Sequence, residues 1–337
     1  MSFAIGQAAS TSWLIVRGGR RSSPISARCG PRQRSSTAAR SIPSTRASSP
    51  PLARTPVSLV TGFLGSGKTT LIGRLLRHPE MGETAVIVNE LGEVPLDHHL
   101  LRRVDERTVV MASGCLCCAL RGDLAEELRD LLSRRERGEI PPFNRVVVET
   151  TGLADPAPVV YTLLSEPLVR HHYELDSVVA TVDAAHGLRL QESIKQAAVA
   201  DVLVVTKVDL ADPGPLEDEL RRLNPAAELV EAAFGEVEPE RLFGRGRRDP
   251  RELASKEGEH TRGVGGVSLF LDEELDWTAF AIWLTMLLQA RGSDLYRVKG
   301  LLNTGAPGPV VLNCVQHVVH PPEHLPAWPD DDRRSRL

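Results

Sequence analysis

Between Val57 and Leu76 the chain passes from a short apolar strand into a glycine-rich loop and then into a helix, and few folds accommodate that order. The loop, Gly62-Phe63-Leu64-Gly65-Ser66-Gly67-Lys68-Thr69, satisfies the phosphate-loop pattern in full. Val57-Ser58-Leu59-Val60 precedes it, and Leu71, Ile72, Leu75 and Leu76 follow at helical spacing. Gly62, Gly65 and Gly67 let the backbone curl until successive N–H groups converge on an oxyanion, and the helix that starts near Lys68 adds its positive end. Lys68 is then placed to neutralise β- and γ-phosphates, and the Thr69 hydroxyl to ligate Mg²⁺.

Two later segments extend the site. Arg145-Val146-Val147-Val148-Glu149 reads as a buried strand ending in a carboxylate, followed by Thr150-Thr151-Gly152. At this place in a phosphate-loop NTPase an acid holds Mg²⁺ or orients water, and a glycine N–H meets the γ-phosphate. Lys68, Glu149 and Gly152 are therefore the catalytic candidates. Val202-Leu203-Val204-Val205 leads into Thr206-Lys207-Val208-Asp209. A carboxylate at Asp209 accepts two hydrogen bonds from the edge of guanine, which adenine cannot offer, and the Lys207 stem lies along the base. Asn is the usual first residue of such a box, and Thr206 is a weaker partner for the ring. The candidate nucleotide set is Gly62, Gly65, Ser66, Gly67, Lys68, Thr69 and Thr70 with Thr206, Lys207 and Asp209.

Three of the five cysteines, Cys115, Cys117 and Cys118, fall within four residues after the strand candidate Thr108–Met111. Thiolates at this density suit Zn²⁺ or Cu(I), and three sulfurs leave a fourth tetrahedral position open, as a transferable metal requires. Buried packing and a redox pair are the other readings of such cysteines. Val86–Asp97 is a strand followed by an acidic loop, in the place where GTPases carry a nucleotide-sensing switch; Glu90, Glu93 and Asp97 there can serve either metal or simply face solvent.

Taken together, Thr61–Thr70, Asn89-Glu90-Leu91-Gly92-Glu93, Ser113-Gly114-Cys115-Leu116-Cys117-Cys118, Glu149-Thr150-Thr151-Gly152-Leu153-Ala154-Asp155-Pro156 and Thr206-Lys207-Val208-Asp209 resemble the CobW family of metal-chaperone GTPases, relatives of the GTPases that deliver nickel for urease and hydrogenase maturation. The likeness extends over residues 56–337. It implies GTP binding with slow hydrolysis, Zn²⁺ on the cysteine cluster and delivery to a client metalloprotein; a homodimer is compatible with it. Leu91 stands where Phe is common, Thr206 replaces Asn, and the His-rich stretch of many members is missing, which argues against metal storage more than against transfer. The alternatives are a GTPase subunit for cobalt insertion in cobalamin synthesis, and a metal-responsive regulator that transfers nothing. Three thiolates favour zinc over cobalt.

The expected fold is α/β: a phosphate-loop NTPase with a doubly wound, mostly parallel sheet over 56–235, and a smaller C-terminal α/β domain over 263–337. Strands are expected near 57–61, 84–89, 108–111, 145–149, 178–182, 202–206 and 228–231, with Asp183 as a loop cap. Residues 236–262 read as a charged linker. In the C-terminal domain Val267–Leu271 reads as a strand, Asp276 as a helix cap, and Trp277, Phe280, Trp283, Leu284, Leu287 and Leu288 as a buried helical face. Two strands follow, 295–302 and 309–319, with Arg297 and Lys299 on a solvated face and Cys314 buried. His317, His320 and His324 do not converge, because 317 and 320 alternate across a strand. Asp330–Leu337 resembles the approach to the family's last strand and helix, so the sheet is expected to lack a strand and leave an open edge.

Residues 1–55 are set apart as a tail or targeting segment; residues 1–54 contain no Asp or Glu and much Arg and Ser. Such a segment is either a mis-called start, an inert tail or a transit peptide, so the expected location is cytoplasmic, or mitochondrial or plastidic if the peptide is real. Cys29 lies in it. A net charge of −4 argues against general nucleic-acid binding, and no apolar run is long enough to span a bilayer.

Overall fold

Runs of branched residues with no polar alternation can be buried only in a sheet covered on both faces, and this chain has several. Val146, Val147 and Val148 are buried, as are Val202 through Val205. In the computed structural model, which describes residues 54–89, 109–113, 122–244, 267–292 and 294–337, these runs are neighbours in one parallel sheet. Its strands are β1 (Thr55–Gly62), β2 (Thr84–Asn89), β3 (Val109–Ser113), β4 (Arg145–Glu149), β5 (Tyr173–Asp183), β6 (Val202–Thr206) and β7 (Glu228–Ala232). The order is β3-β2-β4-β1-β5-β6-β7, and every pairing is parallel. β1 stands at the centre, where the chain turns from building one wing to building the other, and a crevice opens there at the strands' C-terminal ends.

Helices cover both faces. On one, α1 (Lys68–Leu75) sets Leu71, Ile72 and Leu75 against Val60, Val86, Val88 and Val204. On the other, α2 (Gly122–Glu136) and α3 (Ala157–Ser165) bring Leu128, Leu131, Val160 and Leu163 onto Leu59, Ile87, Val146 and Val148. The short α4 (Pro167–His172) follows α3, while α5 (Gln191–Val199) and α6 (Gly214–Leu223) close the β6 wing. Residues 236–244, which read as the start of a linker, are instead anchored: Leu242 and Phe243 are buried in the α1-side core. Their two apolar side chains outweigh the charged composition around them. No described helix is long and apolar enough to cross a membrane.

The C-terminal domain is an antiparallel sheet carrying one long helix. Its strands are β8 (Phe270–Leu271), β9 (Arg297–Leu302), β10 (Val310–Val315), β11 (Val318–Val319), β12 (Glu323–His324) and β13 (Ser335–Arg336), and the helix is α7 (Trp277–Arg291). Asp276 caps α7, accepting from the Ala279 N–H at 2.8 Å. Phe280, Leu284 and Leu288 pack on Leu302, Val310, Leu312 and Cys314. Trp277 and Trp283, expected in this core, are 39% and 47% exposed; only one stripe of a helix that is apolar all round meets the sheet. The strand expected over 309–319 is broken into a hairpin, because Gln316 adopts a left-handed conformation with φ 50°. Ser335–Arg336 lies between β8 and β9, so the edge expected to be open is paired over those residues.

Arg297 and Lys299 do not form a solvated face. Arg297 donates to the carbonyls of Val199 and Ala200 and to Asp201 Oδ1 (2.5 Å), and Lys299 reaches the same carboxylate at 3.3 Å. Val315 and Val318 enter the core formed by α2, α3 and the large sheet. The alternation on β9 was visible in the sequence, but the surface that covers it belongs to the other domain.

Candidate nucleotide site

β1 delivers its chain to the crevice at Gly62, whose φ is 142° and where an added Cβ would lie 2.2 Å from Thr181 Oγ1 on β5. Only glycine fits between these strands. The loop then turns through Gly65 and Gly67, both with positive φ, and Gly67 caps α1. Ser66 shares a 2.6 Å hydrogen bond with Thr181 Oγ1, and the Ser66 carbonyl accepts from Thr206 Oγ1 at 2.7 Å. The proton of Thr206 is thus committed to the loop, and this residue braces the phosphate cradle from β6 rather than reaching outward to a base.

Lys68 is buried, and its Nζ donates to the carbonyls of Gly62 and Phe63 at 2.8 and 3.2 Å, folded along the loop it serves. Thr69 Oγ1 donates to Glu149 Oε1 at 2.7 Å. A hydroxyl and a carboxylate in contact at the foot of the loop are two hard oxygen donors, the kind of pair that suits Mg²⁺. Thr151 is buried beside them, and its hydroxyl has no hydrogen-bond partner among the described residues. A Cβ on Gly152 would meet Leu64 N at 2.5 Å, so the turn after β4 rests directly on the phosphate loop. Thr70 is exposed in the first turn of α1.

Across the crevice, β6 ends in the box that begins at Thr206. Lys207 takes a left-handed conformation (φ 58°) and its Nζ binds Asp183 Oδ2 at 2.6 Å. Asp183 does cap its loop, accepting from the Ala185 N–H at 2.8 Å, and it also binds His186 Nδ1. Burial alone would raise its carboxyl; the hydrogen bonds from Lys207, His186 and Ala185 outweigh that and hold it below the usual carboxylate range. Asp209 is exposed just beyond, with no hydrogen-bond partner among the described residues. A cavity of about 360 Å³, lined among others by Phe63, Leu64, Val182, Asp183, Leu190 and Lys207, flanks the loop on the β5 side.

The structure therefore gathers Gly62, Ser66, Gly67, Lys68, Thr69, Glu149, Gly152 and Thr206 about one loop, with Lys207 and Asp209 just past the end of β6, two strands from β1. Cys115, Cys117, Cys118, Glu90 and Glu93 lie outside the described residues, as does Cys29. Of the histidines, His317 Nδ1 meets the Leu288 carbonyl at 2.9 Å, His320 meets Asn313, and His324 is exposed. No group of metal-ligating residues occurs among the described residues.

Several residues escaped the sequence reading. Thr181 is a small polar residue in an apolar strand, with no local signal of its partner. Gln196 on α5 donates to the carbonyls of Gly152 and Ala154 at 3.1 and 3.0 Å. Phe234, 63% exposed with φ 53°, follows β7 next to the Thr206 box; a bulky residue in that conformation at a strand end is the kind of outlier that marks a site.

Residues 56–231 match the CobW/HypB/UreG nucleotide-binding domain, and residues 264–337 match the cobalamin synthesis protein cobW C-terminal domain. The chain is 32% identical over 294 residues to the zinc chaperone YjiA of Escherichia coli, covering 83% of this chain and 92% of that protein. It is 32% identical over 232 residues to the zinc chaperone CobW of Pseudomonas aeruginosa, covering 57% and 60%. Among solved structures, Zn(II)-bound YjiA GTPase from E. coli superimposes with a TM-score of 0.67 at 28% identity, covering 85% of this chain and 93% of that one. A Zn(II)-bound triple mutant of YjiA GTPase, with one glutamate and two cysteines changed to alanine, gives the same TM-score at 27% identity and the same coverage.

Proposed function

We propose, from the premise that this chain belongs to the CobW/HypB/UreG family of GTPases, that it is a metallochaperone which carries Zn²⁺ on Cys115, Cys117 and Cys118 and spends GTP to release it to a client metalloprotein. The observation that carries the reading is one of register. Asn89 at the end of β2 lies opposite Ser113 at the end of β3, and Val88 lies opposite Glu149 on β4. The last described residues of β2 and β3, Asn89 and Ser113, therefore stand side by side, on the flank of the strand whose Glu149 touches Thr69. In the sequence the first cysteine, Cys115, follows Ser113 by two positions.

In this reading the loop N–H groups and Lys68 hold the β- and γ-phosphates, and Gly152 approaches the γ-phosphate through its N–H. Thr69 and Glu149 would hold Mg²⁺, which when bound spreads the phosphate charge. Lys207 and Asp209 select guanine, with Thr206 steadying the loop behind them. Loss of the γ-phosphate releases the Gly152 turn and the acidic segment after β2, and so alters the surroundings of the thiolates. Zinc is preferred to cobalt on the softness of three thiolates and on the zinc chaperones among the relatives.

The test replaces Cys115, Cys117 and Cys118 together by Ser and measures Zn²⁺ affinity against a chromophoric chelator. Loss of the tight site is expected, with GTP affinity measured without zinc kept within about twofold of the zinc-free wild type, since hydroxyls are poor substitutes for thiolates and the phosphate loop is separate. Affinity rather than zinc content is the proper measure, because a relative lacking two cysteines and a glutamate is still Zn(II)-bound. Unchanged Zn²⁺ affinity would remove the cysteines from the account.

A further inference from the structure

We infer that Gln316 of the C-terminal domain is a positioning residue for GTP hydrolysis: it holds Asp155, and through Asp155 the Gly152 turn, so that this side-chain contact couples the two domains. The inference rests on the nucleotide reading above and adds to it the route by which the C-terminal domain takes part.

The turn from Gly152 to Asp155 is held from three directions. Below it, Gly152 lies so close to the phosphate loop that a Cβ would meet Leu64 N at 2.5 Å. From the side, the buried Gln196 on α5 donates its amide to the carbonyls of both Gly152 and Ala154. From the C-terminal domain, Gln316 Nε2 reaches Asp155 Oδ1 and Oδ2 at 3.2 and 3.0 Å. Asp155 Oδ1 also accepts from the Ala157 N–H at 3.0 Å, so the same carboxylate ties the turn to the start of α3.

Gln316 is not an incidental surface residue. Its φ of 50° places it in the left-handed region, which a side chain with a Cβ enters only against steric resistance. That conformation splits the strand into β10 and β11, and the flanking Val315 and Val318 are buried in the core of the GTPase domain. The hairpin is thus gripped on both sides of Gln316, and its tip is aimed at the turn. A second contact reaches the turn less directly. Arg297 on β9 binds the carbonyls of Val199 and Ala200 at the end of α5, the helix whose Gln196 holds Gly152 and Ala154. Both routes from the small domain therefore converge on residues 152–155.

Because the contact is mutual, any change that GTP imposes on the turn must also act on the hairpin, and loosening the hairpin must alter the nucleotide site. A side chain that only stabilised the domain contact would change thermal stability equally in every nucleotide state.

The test uses the full chain with Gln316→Gly, which suits the left-handed backbone and so removes the amide without unfolding the hairpin. Steady-state hydrolysis gives kcat and KM, and hydrogen exchange follows residues 315–319 with GDP and with a non-hydrolysable GTP analogue. In the wild type, exchange at 315–319 should differ between the two nucleotides. In Gln316→Gly that difference should vanish, and kcat should fall by about 5- to 10-fold with KM within about twofold. Asp155→Ser, whose shorter hydroxyl can still cap α3 but cannot reach Gln316, should lower kcat similarly, and the double variant should lose no more than either alone. Wild-type kcat in Gln316→Gly, or a nucleotide-dependent exchange difference that survives in it, would overturn the inference. A wild-type chain that neither binds nor hydrolyses GTP would instead overturn the reading of the phosphate loop on which it depends.

Discussion

The large parallel sheet and the small antiparallel one obey the same packing rules, but they place their charged residues by different logic. In the large sheet, polar groups that matter stand at strand ends, where the chain leaves the core: Glu149, Asp183 and the Lys207 box all sit at the C-terminal edge. Each carries out its role among close neighbours in the crevice. In the small sheet, Arg297 and Lys299 lie within β9 and find their partner, Asp201, in the other domain. Strand-end chemistry can be read from a local pattern; a charge paired across a domain boundary cannot.

The largest expected effect comes from breaking that cross-domain pair. Arg297→Ala would leave Asp201 largely buried beside Lys299 alone, and should cost about 3–5 kcal/mol of stability in chemical denaturation. A loss under about 1 kcal/mol would mean that the pair is a surface ornament, as the sequence had implied. In the large sheet the matching test is Lys68→Ala, which should weaken GTP binding by about 100-fold or more in isothermal titration while leaving the unfolding midpoint unchanged. Unchanged GTP affinity would remove the phosphate loop from the account. Asp209→Asn should cost about 10- to 100-fold in GTP affinity and narrow the preference over ATP, because two hydrogen bonds to a charged acceptor are lost. Equal binding of ATP and GTP by the unsubstituted chain would dismiss guanine selection altogether.

The domain boundary should also leave a mark on the pH profile. Burial, reinforced by Arg297 and Lys299 and opposed by Asp201, pulls His320 from 6.5 down to about 4. Its folded value lies below its unfolded one, so the unfolded chain takes up a proton first, and stability should decline as pH falls from about 6.5 to 4. Asp201 is also depressed: its own burial would raise it, but Arg297, Lys299 and the Val178 N–H hold it well below the carboxylate range. Its contribution is intact above an unfolded value near 4 and is lost only in stronger acid. His320→Gln should therefore flatten the slope of the melting temperature between pH 6.5 and 4; an unaltered slope would place its cause elsewhere. The smallest effect belongs to the exposed stripe of α7, where Met286→Ala should change stability by no more than about 0.5 kcal/mol.

This contrast also explains what could be read in advance. The seven strands of the large sheet were legible because each holds a short apolar stretch bounded by turn residues, although β5 begins at Tyr173, five residues ahead of the expected 178–182, and the phosphate loop was legible because its spacing is set by phosphate geometry. The Asp276 cap and the buried Cys314 followed from equally local rules. Helix α7 misled because its apolar residues have helical spacing on every side, so periodicity alone could not say which stripe meets the sheet. The linker reading failed at Leu242 and Phe243, where two residues decide against a charged stretch. Thr181, Gln196 and Gln316 were illegible for a different reason: their hydrogen-bond partners lie on other elements, and nothing local records them.

The central claim is that one chain links a nucleotide site to a thiolate metal site, and linkage is measured most directly by titrating Zn²⁺ against a chromophoric chelator in the apo, GDP-bound and GTP-analogue-bound states. The account predicts that Zn²⁺ affinity differs between the GDP and GTP-analogue states by about 5- to 150-fold, and that Zn²⁺ changes GTP-analogue affinity, measured relative to GDP, by the same factor. Identical Zn²⁺ affinities in all three states would contradict it, leaving two sites that share a polypeptide and nothing more.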